Sequence, residues 1–82
     1  MDKNTAERIL EIASRCSHLA DSSVEHATQG SSKEEFVTYR RRAGAIMASL
    51  FEEIMAPIYA EHSDLAPEWY RKMDEERSLK KL

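Results

Sequence analysis

Apolar residues recur every three or four positions through the first third of the chain: Ile9, Ile12, Ala13, Cys16, Leu19, Ala20, Val24 and Ala27. Arg8, Glu11, Arg15, Ser22 and Glu25 fall on the other side. That period draws one apolar stripe along a helix. Asn4 followed by Glu7 reads as a capping box, so the helix is expected to begin there. It is expected to end near Thr28, with Gly30 taking left-handed geometry just past the end.

A second stripe runs Phe36, Val37, Ala43, Gly44, Met47, Leu50, Phe51, Ile54, Met55, Ile58. Ser32 and Glu35 form a second capping box at its start. Carried to His62, this helix has about 30 residues and is ~45 Å long at 1.5 Å per residue. Pro57 interrupts it, because its nitrogen cannot donate to the carbonyl of Glu53 and its ring crowds that turn. The expected result is a kink near Glu53–Met55, or a short separate turn of helix from Pro57 to Glu61. Pro67 and Glu68 then open a third helix of about 14 residues to Lys80, with Trp69, Tyr70, Met73 and Leu79 turned inward. Ser78 through Leu82 is expected to fray.

No stretch alternates polar and apolar residues long enough for a strand. The fold class is therefore all-α: an antiparallel helical hairpin plus a shorter third helix, a three-helix bundle in one domain over residues 1–82, with the second helix kinked near Pro57. Tyr59, Leu65, Trp69 and Tyr70 converge at the second turn as an aromatic corner. The third helix is too short to cover the half of the hairpin near Gly30. Two helices alone bury too little apolar surface to be stable, so a second copy of the chain is expected, as a homodimer. Gly44, Ala45, Ala48 and Ser49 would permit close helix approach.

Composition sharpens this picture. Eighty-two residues make one small, marginally stable domain. One cysteine allows no intrachain disulfide and fits a reducing cytoplasm. The N-terminus has neither the basic nor the apolar region of a signal peptide, and no apolar run approaches the ~20 residues of a membrane span. Net charge is −3, with eight acids against two bases between residues 52 and 76. That imbalance disfavours nucleic acid as the partner, since phosphate neutralisation needs a basic face.

Candidate chemistry is sparse. His18, Asp21 and Glu25 share a helix face but lack the offset of a helical metal pair. Cys16 and His18 are two apart and do not face each other. Glu34 and Glu35 serve the cap, and Glu52 and Glu53 point away from the seam. No phosphate loop or nucleophile triad is present. The reading is therefore of a non-enzymatic chain without cofactor or metal. Arg40 is expected to project inward and pair with Asp21, fixing the register of the hairpin. Arg41 and Arg42, with Glu52, Glu53, Glu61 and Asp64, are the candidate contacts for a partner. The expected function is a small cytoplasmic protein-interaction module that binds or occludes a partner protein, in the manner of an inhibitor, immunity factor or antitoxin. One alternative is a ligand- or metal-binding accessory domain at the Tyr59–Tyr70 corner. Another is a nucleic-acid regulator using Arg40–Arg42 across a dimer.

Overall fold

The computed structural model describes residues 1–80 and is helical throughout, without strands among the described residues. Helix α1 spans Lys3–Gly30 and α2 spans Lys33–Ser49. A π-helical segment, Leu50–Met55, leads directly into α3, Ala56–Glu61. A 3₁₀ turn, Ser63–Leu65, precedes α4, Glu68–Lys80. The all-α class is thus as expected. α4 runs through Lys80, past the expected start of fraying, and residues 81 and 82 lie outside the described residues.

Several element ends differ from the sequence reading. The first helix starts two residues early, because the Asp2 carboxylate rather than Asn4 caps it: the Thr5 amide donates to Asp2 Oδ1 at 2.8 Å. Gly30 stays inside the helix with no positive φ, and Ser31 in extended geometry makes the stop. The Ser32–Glu35 capping box forms as read. The Glu35 amide donates to Ser32 Oγ at 3.2 Å, and the Ser32 amide donates to Glu35 Oε1 at 3.0 Å. That bond holds the Glu35 carboxyl below its ordinary pKa.

Where a kink was expected before Pro57, the structure shows the π segment. The Ala56 amide donates to the Phe51 carbonyl, five residues back instead of four. A widened turn lets a helix pass a proline without ending. The backbone is therefore helical without a break from Lys33 to Glu61, 29 residues with a mean hydropathy of 1.2 over its most apolar 18-residue window. This corrects the expectation that no run approaches membrane length. By length and composition the helix is sufficient, although Glu52 and Glu53 stand side by side within it. A charge at mid-bilayer costs about 2.5–3.5 kcal/mol on insertion scales.

The first two helices run antiparallel, and residues whose numbers sum to about 63 lie opposite each other. Tyr39 Oη donates to Ser23 Oγ at 2.6 Å, which in turn donates to the Ala20 carbonyl at 2.6 Å. Ile9 and Ile54 wall the same cavity. The buried residues are mostly small: Ala6, Ala13, Ala43 and Ala66, with Ile58 and Tyr59. Helices meeting through alanine approach closely but bury little area each. The molecule is flat and open, 46 × 33 × 18 Å with a Cα radius of gyration of 15.9 Å. A compact domain of this length would have about 12 Å.

The burial pattern corrects the two stripes. Ile12 is 48% exposed and Leu19 71%, and Cys16 is exposed rather than a core residue. Val37 and Ile54 are also exposed. A Cβ added at Gly44 would meet nothing within 4 Å, so Gly44 is not the site of a close helix approach within the chain.

Candidate functional site

Two regions carry organised side chains. The first is the aromatic corner. Tyr59 is buried and its ring lies 5.0 Å from that of Tyr70. Phe51, at the start of the π segment, is the centre of the cluster, 6.4 Å from Tyr59, 5.9 Å from Trp69 and 6.0 Å from Tyr70. Trp69 was expected inward, yet it is 56% exposed and touches the cluster with one side only. It sits on the first turn of α4, where only one flank can reach Phe51. Leu65 is half-buried beneath the turn. Arg71 stitches the corner to the 3₁₀ turn, its Nε donating to the Ser63 carbonyl at 3.2 Å and its Nη2 to the Asp64 carbonyl at 3.0 Å. Burial raises the Tyr59 phenol above its ordinary pKa, with nearby Tyr70 adding to it. A cavity of about 270 Å³ beside this corner is lined by Tyr59, Tyr70, Arg71 and Asp74. Among the described residues, no three His, Cys, Asp or Glu side chains gather as a metal would require.

Next to this corner the N-terminus is clasped by the turn after α3. The Met1 amine donates to Glu61 Oε1 at 2.8 Å, Lys3 Nζ lies 2.6 Å from Asp64 Oδ2, and His62 Nε2 donates to the Met1 carbonyl at 2.9 Å. Hydrogen bonding and charge from Glu61 raise the Met1 amine above its ordinary pKa, and the same bond lowers Glu61. Lys3 likewise lowers Asp64. Both acids are paired within the chain, yet each side chain stays more than half exposed.

The second region is an open apolar face. Ala45, Ile46, Ser49, Leu50, Glu53 and Ile54 line a groove of about 400 Å³ along the second helix. It continues at Glu53 and Ile54 into a cavity of about 330 Å³ that also takes in Met1, Ile9, Pro57 and Ile58. Ile12, Cys16 and Leu19 follow Ile9 at three, seven and ten residues, so they prolong the same side of α1. Ile46 is 60% exposed and Ile54 38%. Neither Phe51 nor any described residue of α4 lines the groove or this cavity.

The remaining predicted contacts scatter. Arg40 and Asp21 are both exposed, and no ion pair joins them. Arg40 sits one turn past Phe36, off the line that faces α1, which Tyr39 occupies by its bond to Ser23. Arg41 and Arg42 are exposed on different sides, as consecutive helical residues must be. Glu52 and Glu53 separate in the same way, and only Glu53 lines the groove. Sequence reasoning placed Phe51 in the core stripe but missed its central role at the corner; its four-and-eight-residue spacing before Met55 and Tyr59 was the available signal. No known protein family, curated protein or solved structure matches the chain.

Proposed function

We propose that the chain is a non-enzymatic helical interaction module of the cytoplasm that completes its fold by docking its open α1–α2 face onto another protein. The observation that carries this is surface. The chain exposes 6525 Å², against about 5,000 Å² for a compact monomer of its mass. The excess of about 1,500 Å² exceeds the ~800 Å² that each partner contributes to a standard interface. The exposed aliphatics of the open face, Ile12 and Leu19 on one helix and Ile46 and Ile54 on the other, are interspersed with small and charged residues that do not converge as a small ligand would need.

The test is the size of the native assembly. In extract of its own host, the chain is expected to run on a sizing column well above its 9.4 kDa. Ile46→Glu, on the face, is expected to bring it down to single-chain size, and Arg41→Glu, on the far side, is not. A wild-type chain that runs as a single chain in extract and when purified overturns the reading.

A further inference from the structure

Arg42, Ile46, Ser49 and Glu53 stand at intervals of four, three and four residues, one stripe along the open side of the second helix. The stripe has a basic end, an apolar and small middle, and an acidic end. Among the described residues neither Arg42 nor Glu53 makes an ion pair, and both are exposed. Turned end over end, the stripe complements itself: Arg42 meets Glu53, and Ile46 meets Ser49. Such self-matching is what a two-fold axis requires, because each residue must accept the partner of its own partner.

The first helix gives an independent check on where that axis lies. An axis centred between Met47 and Ala48 on α2 falls, by the pairing of residues that sum to about 63, between Arg15 and Cys16 on α1. The same turn then places Ile12 over Leu19, the two exposed aliphatics of that helix. It also brings Cys16 close to its own copy. The charges on one helix and the apolar residues on the other thus select one and the same axis.

We propose that two copies of the chain stack face to face about this axis, α2 on α2 and α1 on α1, as an antiparallel four-helix core with α4 of each copy outside. The inference rests on reading the open face as a protein-docking surface and names its occupant as a second copy. Apolar burial by Ile12, Leu19, Ile46 and Ile54 supplies the drive, and the two Arg42–Glu53 contacts set the register.

Sedimentation equilibrium of the purified chain, with circular dichroism confirming the fold of each variant, tests it. The wild type is expected at twice the single-chain mass. Arg42→Glu is expected to weaken association at least tenfold, by setting like charges opposite each other twice. Arg42→Glu with Glu53→Arg is expected to restore it. A short bis-maleimide, alkylating one Cys16 thiol from each copy by addition across its two double bonds, is expected to link the wild-type pair at low micromolar concentration. Glu11→Cys in a Cys16→Ser background, on the far side of α1, is not. A single-chain mass at high micromolar concentration overturns the proposal, as does a dimer indifferent to both charge changes or a chain that floats with phosphatidylcholine vesicles as a monomer. A large species in host extract with a single-chain mass when pure leaves the docking reading standing and removes only the self-pairing.

Discussion

Phe51 touches three rings while remaining half-exposed itself, which makes it the residue on which the second turn depends. Aromatic pairs contribute about 0.5–1.5 kcal/mol each beyond their buried area. Phe51→Ala is expected to cost about 2–3 kcal/mol in urea unfolding, short of a fully buried phenylalanine because the site is open on one side. Trp69→Ala removes a larger ring but is expected to cost less, about 1 kcal/mol, since more than half of Trp69 faces water. The reverse order would mean that the corner is organised around Trp69. Both comparisons need a fixed chain concentration, because an associating protein gains stability by mass action. Ser32 gives a simpler case. Its hydroxyl is the acceptor for the Glu35 amide, and Ser32→Ala is expected to cost about 1 kcal/mol. That cap was readable in the sequence because a capping box involves four consecutive residues and little else. The first helix start was not, since Asp2 and Asn4 are both good caps and the choice falls to Asp2 through a contact of the N-terminus with the distant 61–64 turn.

Helix boundaries followed local chemistry wherever local chemistry was unopposed. Gly30 shows the limit: glycine permits a left-handed end but does not compel one, and here it stays right-handed while Ser31 breaks the helix. Pro57 was equally visible, but its remedy was not. A bend and a π turn both relieve the clash with the preceding carbonyl, and the sequence does not rank them. The π turn inserts roughly one extra residue per turn, which rotates α3 relative to α2 and turns Ile58 and Tyr59 into the core. Gly44 offers a test that bears on the dimer as well. It is right-handed, lies mid-helix, and leaves an added Cβ free of contacts. Gly44→Ala is therefore expected to raise stability by about 0.5–1 kcal/mol through the lost freedom of the unfolded chain. Gly44 is two residues from both Arg42 and Ile46 and so lies off their stripe. The association constant is expected to stay where it is, and a drop on sedimentation would move the interface to the Gly44 flank.

Across the whole molecule, the amphipathic stripes correctly announced helices but overstated the core. Period alone cannot say whether a stripe wider than its neighbour belongs inside the chain or to a second one, and Ile12, Cys16 and Leu19 are on its uncovered margin. The long-range clasp between residues 1–3 and 61–64 was invisible for a related reason: its ion pairs join residues sixty apart, and only the finished hairpin brings them together. That clasp and the two helix caps share a pH signature. Asp2, Glu35, Glu61 and Asp64 all have pKa values lowered by folding. The unfolded chain therefore binds more protons in acid, and the stability these groups supply, present above about pH 4.5, is lost as pH falls through their folded values. The Met1 amine is raised, so its contribution is present below its unfolded pKa of about 8 and is lost as pH climbs through the higher folded value. The thermal midpoint is expected to be flat from about pH 5.5 to 7.5 and to fall on both sides, less so in high salt because the pairs are exposed. Glu61 is the first cause of the shift at Met1, and Met1 of the shift at Glu61. Glu61→Gln should therefore soften both edges of the calorimetric profile together. A variant that loses only the acid edge would show that the amine is held by something other than Glu61.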